Sequence, residues 1–348
     1  MEQGKPVVVD AAPTVAARRP GRFETIYTRL GFQRAYNFPL FIVFAGAMVG
    51  FSLSRLYFYD FDGIFAKEAS PGAMSDYHEG KYRVGMLLHL AACLPSGLLL
   101  VLQFVPGIRH RWLLLHRING YVVLFLVIIS NAGACIVLGR RESGTRVAAQ
   151  SAEATMVIMT TVGMSAAYWN IKRLQIDQHR AWMLRTFFYY GVIITNRIID
   201  SIAAVVISAY GGYYTVWSCR MMEYTYAQAG LRTLQQDYPA CFSSPSPFSG
   251  PAKFNGRAHV VVEAIHDVDQ PPNLGASLMI PFGTSLWMAI VLHVIGVELY
   301  LSLTPREAAR LRQVSYEKQC EAGHSNPGYS GWTVNRWGDA EEWKPSSK

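Results

Sequence analysis

The chain has 348 residues, of which 51% are hydrophobic and 16% are charged, and its formal net charge is +8. Soluble domains contain roughly a quarter charged residues, so this composition argues against an ordinary soluble enzyme. The basic residues lie between apolar runs and do not form one patch, which argues against nucleic acid as a partner. This distribution is typical of a membrane protein.

Six apolar segments are long enough to cross a bilayer, which takes about 20 mostly apolar residues. They cover residues 39–58, 84–105, 118–139, 151–171, 183–209 and 279–303. The fourth segment is the least apolar and contains several small residues, which allow membrane helices to pack closely. We therefore expect it near the centre of the molecule. The predicted fold is all-α, an integral membrane helical bundle of about six transmembrane helices.

The distribution of Lys and Arg between the two sides predicts that both termini are cytosolic. Residues 1–38 then form a polar N-terminal segment, 39–303 the transmembrane bundle, and 304–348 a cytosolic tail. The tail starts with a helix, and we expect the rest of it to be poorly ordered. The sequence indicates a multi-pass membrane protein and does not distinguish the endoplasmic reticulum from the plasma membrane.

The long segment 210–278 is predicted to be a lumenal or extracellular loop. It contains Cys219 and Cys241. On an oxidising side of the membrane these cysteines are expected to form a disulfide. The alternative is a pair of free thiols in a loosely ordered loop rich in Ser, Pro and Gly. No Cys-x-x-Cys motif occurs in the sequence, which argues against a zinc ribbon and against c-type haem attachment.

Histidines beside the apolar segments are candidates for function, because ionisable groups are costly in lipid. His116 starts the third segment and His179 precedes the fifth, on one side of the membrane and at similar depth. Two histidines at one depth suit a b-type haem, so both are candidate ligands of a haem iron. The alternative is that they contact lipid phosphates and loop carbonyls at the membrane edge. His89 and His293 differ in depth, which argues against a second haem.

A second polar group falls in the outer half of the predicted bundle. Its members are His89, Asn131, Glu153, Asn196, Arg197 and Asp200. Asp200 follows Asn196 by four residues and Arg197 by three, so these side chains can meet on one helix. One interpretation is an ion-pair network that fixes helix register. The other is a catalytic cavity in which Glu153 or Asp200 exchanges a proton, with His89 as a second proton carrier and Arg197 beside them.

Three blocks of residues carry a resemblance to a known family. They are Leu88-His89 with Gly97 and Gln103-Phe104, Leu115-His116-Arg117 with Gly120-Tyr121, and His179-Arg180 with Trp182-Met183, Arg185 and Asn196-Arg197. From about Val84 to Ser201 the chain resembles the domain-of-unknown-function 2306 family, predicted membrane proteins of bacteria and filamentous fungi. Glu153 and the 210–278 loop depart from the bacterial pattern, which suggests a fungal-type member.

The resemblance implies a compact helical bundle with a shared site, and it implies no established reaction. The residues of that site would be His89, His116, Arg117, His179, Arg180, Arg185 and Arg197. We expect Arg185 and Arg197 to position polar or anionic groups, and His116 and His179 to bind a cofactor or relay protons. Arg117, Arg180 and Arg185 are further candidates for cofactor binding. Fungal members resemble accessory proteins of secondary-metabolite pathways, which favours a tailoring or cyclising enzyme by analogy.

Three functions stay open on the sequence alone. The first is an enzyme that acts on a lipophilic small molecule, by haem-linked redox chemistry or by acid–base isomerisation or cyclisation. The second is a transporter, favoured by Pro95 and Pro281 within spans and opposed by the lack of an inverted repeat. The third is a structural membrane protein. The expected partners are the lipid bilayer and a small molecule, and the sequence does not indicate an oligomeric state.

Overall fold

The computed structural model describes residues 22–32, 34–139, 147–243 and 252–346. The long helices are α2 (Asn37–Leu53), α5 (Gly80–Gln103), α7 (Leu113–Leu138), α8 (Val147–Lys172), α9 (Ile176–Tyr190), α10 (Val192–Tyr210) and α13 (Pro271–Ser302). The other helices are α1 (Arg22–Arg29), α3 (Ala66–Glu68), α4 (Met74–Tyr77), α6 (Pro106–Arg111), α11 (Cys219–Gln228), α12 (Leu234–Asp237), α14 (Pro305–Glu321) and α15 (Val334–Trp337). The strands are β1 (Tyr214–Ser218), β2 (Phe242–Ser243), β3 (Lys253–Phe254) and β4 (His259–Glu263).

Five helical segments within these ranges are long and apolar enough to cross a membrane. They are Asn37–Tyr59, Gly80–Gln103, Leu113–Leu138, Ile176–Tyr210 and Pro271–Ser302. Helix α8 has 26 residues but is less apolar, and it packs against α7, α9 and α13. Its residues Ala152, Ala167 and Asn170 are fully buried. The predicted all-α membrane bundle is confirmed, with five apolar segments and a sixth, less apolar helix in contact with three neighbours.

Glycines allow close backbone contact between α5 and α7. A Cβ placed on Gly133 would lie 2.6 Å from the carbonyl oxygen of Gly85 and 2.7 Å from the backbone nitrogen of His89. Helices with small facing residues approach until their backbones touch, and they then gain van der Waals contact over a long interface. This approach holds His89 directly against α7.

The fifth span differs from its predicted bounds. Its helix begins at Ile176, seven residues before the predicted start, and Gly191 separates α9 from α10. His179 and Arg180 therefore lie inside a helix and not in a loop before it. Pro95 and Pro281 lie within α5 and α13, and neither proline divides its helix into two elements.

Residues 211–243 and 252–270, here called the cap, fold into a small unit at one end of the bundle. Strands β1 and β4 pair antiparallel, with Val216 opposite Val261. Cys219 and Cys241 form a disulfide, which confirms the first of the two expectations for this pair. The buried core under the strands consists of Trp217, Cys219, Met222, Tyr226, Cys241, Val260, Val262 and Ala276. The alternative of a loosely ordered loop is wrong for the described part of this segment.

Residues 304–346, here called the tail, fold against the opposite end of the bundle. Ser315 on α14 donates to Asp177 of α9 over 3.0 Å, and both residues are buried. Gln319 donates to Gln175 and to the carbonyl of Arg173, each over 3.0 Å. The expectation that the part of the tail after this helix is poorly ordered is wrong, because the backbone nitrogens of Gly328 and Trp332 donate to Gln319 and to Asn170 of α8 over 2.6 and 2.8 Å. The two ends of the bundle are called the cap side and the tail side below.

Candidate functional site

His89 lies on α5 in the interior of the bundle and is held by α7. Its Nδ1 is 3.1 Å from both the carbonyl oxygen and the hydroxyl oxygen of Ser130, which is buried. A carbonyl oxygen only accepts, so the proton sits on Nδ1 when His89 uses this contact. The other ring nitrogen, Nε2, then carries a lone pair and can act as a base.

Tyr190 extends the polar interior from α9. Its hydroxyl lies 2.5 Å from the Oγ of Ser96 and donates to the carbonyl of Cys93 over 3.2 Å. The thiol of Cys93 also interacts with the imidazole of His89. We call these five residues, His89, Cys93, Ser96, Ser130 and Tyr190, the central cluster. Of these five residues only His89 was predicted from the sequence, because single Ser, Tyr and Cys residues within apolar helices are common and carry no spacing pattern.

Asn196 and Asp200 of α10 are buried with polar atoms that lack a partner. Asn196 is 0% exposed and Asp200 2% exposed. Within the described chain, neither amide atom of Asn196 nor Oδ1 of Asp200 has a hydrogen-bond partner. Leaving a buried polar group unpaired costs roughly 1–3 kcal/mol. Such a group is typically satisfied by a bound ligand or by water, so this part of α10 is the strongest candidate for substrate contact.

Glu153 and Arg197 link these residues to the central cluster electrostatically. The charge of Glu153 acts on both His89 and Arg197, and Asp200 also acts on Arg197. The Arg197 guanidinium carbon lies 5.5 Å from the ring centroid of Phe282. Electrostatic interactions thus connect the four predicted catalytic residues as a chain, in which His89 interacts with Glu153, Glu153 with Arg197, and Arg197 with Asp200. Asn131 has a different role, because it donates to Thr160 and Thr161 over 3.0 and 2.9 Å.

His116 and His179 lie at the tail side, on α7 and α9. A histidine that ligates a metal normally donates its other ring N–H to a carbonyl or carboxylate. The Nδ1 of His179 donates to the carbonyl of Ala167 over 2.9 Å, whereas the Nδ1 of His116 is buried without a partner in the described structure. The described part of the chain contains no group of three or more His, Cys, Asp or Glu residues that could hold a metal ion. A bis-histidine haem needs only two protein ligands, so ligation by His116 and His179 stays a prediction, and we derive no redox step from it.

The predicted cofactor-binding arginines have three different environments. Arg185 forms a two-point ion pair with Glu298, with Nε and Nη2 at 2.6 and 2.9 Å from the carboxylate oxygens. Arg180 donates to the hydroxyl of Tyr300 over 3.4 Å. Arg117 is exposed. Because Glu298 neutralises it, Arg185 is a poor candidate for anion binding. Glu298 was missed, although an acidic residue inside an apolar helix is itself a signal.

His293 of α13 is fully engaged in hydrogen bonds. Its Nδ1 donates to the carbonyl of Phe188 over 2.5 Å, and its Nε2 accepts from the hydroxyl of Thr195 over 2.8 Å. These contacts fall on both sides of Gly191, where α9 ends and α10 begins. His293 therefore supports the junction of two helices.

Five apolar helical segments around a polar interior define a multi-pass integral membrane protein. Residues 86–223 match the family described as "Predicted membrane protein (DUF2306)", the family that the motifs of the sequence resemble. The matched segment includes His89, His116, Glu153, His179 and Asp200.

A fungal protein is similar over most of its length. "Ava biosynthesis cluster protein G" of Aspergillus versicolor is 22% identical over 337 residues, which cover 82% of this chain and 94% of that protein. No solved structure matches the chain significantly.

Proposed function

We propose that the protein is a membrane-embedded enzyme that isomerises or cyclises a lipophilic small molecule by acid–base chemistry. The observation that carries the proposal is the pair Asn196 and Asp200, which is buried in the bundle with unpartnered polar atoms. A substrate with one polar group in an apolar body would satisfy these atoms and leave its hydrocarbon against the helices.

The side chains suit proton transfer in defined roles. With Nδ1 donating to Ser130, His89 offers Nε2 as a general base. Asp200 has one oxygen free of protein partners among the described residues and can give or take the second proton. Glu153 and Arg197 balance the charge that develops, since ionised groups in a low dielectric need opposite charges nearby.

The similarity to a protein named for a biosynthesis cluster supports a tailoring role in secondary metabolism. The transporter alternative stays the second candidate, because Pro95 and Pro281 leave α5 and α13 unbroken but the fifth span is interrupted at Gly191, between α9 and α10. Broken helices are the usual framework of a carrier site at the membrane midplane.

We also propose that the cap faces the lumen or the exterior and that both termini are cytosolic. The disulfide between Cys219 and Cys241 supports this orientation, because disulfides form and persist in oxidising compartments. The excess of Lys and Arg on the tail side supports it independently.

The test compares the metabolites of three strains of the source organism. The strains carry the gene for this protein as the wild type, as His89→Ala or as Asp200→Asn. We expect both variants to lose product about a hundredfold or more and to accumulate a precursor, because general acid–base groups contribute that much. Asn131→Ala is the matched control, since Asn131 is polar, intramembrane and paired with two threonines. Unchanged product in both variants, at normal protein levels, would contradict the proposal.

A further inference from the structure

Basic side chains from three helices lie near one another at the tail side, which is the end of the bundle opposite the cap. Arg109 lies on α6, His116 on α7, and His179 and Arg180 on α9. The charge of Arg109 acts on both histidines, and Arg180 acts on Arg109. Helix α6 is itself held in place, because the backbone nitrogen of Gly107 donates to the carbonyl of Leu30 over 2.9 Å. These four side chains therefore share one region.

The region has more positive charge than its carboxylates can balance. The charge of Glu307 acts on Arg109 and Arg180, but its two oxygens bind Arg310 at 2.7 and 2.8 Å. Neither Arg109 nor Arg180 has a carboxylate within ion-pair distance in the described part of the chain. Three arginines thus face one carboxylate.

Burial makes this imbalance costly. Arg109 is half-buried, and that burial lowers the pKa of its guanidinium, with Arg310 and Arg180 adding to the decrease and Glu307 opposing it. The Nδ1 of His116 is buried in the same region without a partner among the described residues. A bound anion would pair with the arginines and satisfy the histidine nitrogen at once.

We infer that Arg109, His116 and Arg180, with His179 beside them, form a binding site for a phosphate group at the tail side of the bundle. Guanidinium groups bind phosphate oxygens through two parallel hydrogen bonds, and an imidazole N–H adds another donor. The phosphate belongs either to a lipid headgroup or to a water-soluble phosphate compound, which present the same oxygens. The inference does not depend on the proposed reaction, whose residues lie toward the cap side.

The experiment uses the full chain, purified in detergent, and native mass spectrometry with two probes. One is dihexanoyl phosphatidic acid, with dihexanoyl phosphatidylcholine as its control, and the other is inorganic pyrophosphate. We expect saturable binding of at least one probe, weakened roughly tenfold in Arg109→Gln by loss of charge-assisted hydrogen bonds. Lys172→Gln is the matched control, because exposed Lys172 is a tail-side cation that lies against Tyr121 and Tyr168. It should change affinity less than about twofold.

The outcomes separate the two sources of phosphate. Binding of phosphatidic acid alone assigns the site to a lipid headgroup, binding of pyrophosphate alone assigns it to a soluble compound, and binding of both supports the shared chemistry. No binding to folded wild type, or equal weakening by Arg109→Gln and Lys172→Gln, would overturn the inference. If Arg109→Gln does not fold, Arg109→Lys keeps the charge and removes the two-point geometry, and it should still weaken binding severalfold.

Discussion

At the scale of single residues, Asn196 is the hardest side chain to explain by packing alone. Its amide is 0% exposed, and both polar atoms lack partners in the described structure. A residue that only filled space there would be more stable as an apolar side chain of similar volume. Its presence is consistent with a ligand that the side chain binds.

Asn196→Leu tests this interpretation. Because the substitution removes an unpaired buried amide, we expect the ligand-free protein to gain about 1 kcal/mol in free energy of unfolding, or to lose none. Product formation should fall sharply. Thermal unfolding in detergent and metabolite analysis measure the two effects. A strongly lowered unfolding temperature would show that Asn196 is structural.

Tyr190 tests the central cluster. Tyr190→Phe removes the hydroxyl that pairs with Ser96 and with the carbonyl of Cys93, so we expect a loss of about 1 kcal/mol in stability. We also expect product formation to fall while the protein stays folded, because the hydroxyl then no longer helps to hold the proton of His89 in place. Tyr300→Phe is a suitable control, because its hydroxyl pairs with Asn37 and Arg180 at the tail side. Equal product from both variants would remove Tyr190 from the reaction.

At the scale of helices, the position of His89 depends on the contact between α5 and α7. Gly133→Ala would place a Cβ 2.6 Å from a carbonyl oxygen of α5, so the helices must separate. We expect a loss of about 1–3 kcal/mol in stability, and lower activity as His89 moves away from Ser130. Gly296→Ala is the control, because a Cβ at Gly296 meets nothing within 4 Å. A stable, active Gly133→Ala variant would contradict the packing described.

We expect the stability of the cap to depend on its disulfide. Cys219 and Cys241 are both 0% exposed and belong to the cap core. We expect the double substitution to serine to lower the stability of the cap by about 2–4 kcal/mol and to make the cap sensitive to protease. Cys320→Ser, which changes an exposed free thiol in the tail, should have no such effect. Equal protease resistance of the two variants would show that the disulfide is dispensable.

At the scale of the whole molecule, apolar runs of the sequence predicted the bundle correctly, because each span must satisfy its own backbone and expose apolar side chains to lipid. Their similar depths also predicted that His89, Glu153, Arg197 and Asp200 can interact, and electrostatic interactions join His89 to Glu153, Glu153 to Arg197, and Arg197 to Asp200. Their roles stay predictions. The sequence did not reveal the helix break at Gly191.

Contacts between distant segments could not be predicted in the same way. The tail docks through Ser315 and Asp177, and the central cluster joins Ser96 to Tyr190, 94 residues later. Neither pair has a local pattern, because each forms only after the helices have packed. The pair of Arg185 and Glu298 belongs to the same class, although the lone acid in α13 was a visible signal.

The central claim is acid–base chemistry without net oxidation, and the mass of the product formed in deuterated water tests it most directly. Isomerisation or cyclisation preserves the mass of the precursor, and a proton delivered from His89 or Asp200 to carbon comes from solvent. We therefore predict a product that is isobaric with its precursor in ordinary water and carries one deuterium in deuterated water. A product that differs by an oxygen atom or by a pair of hydrogens would contradict the account.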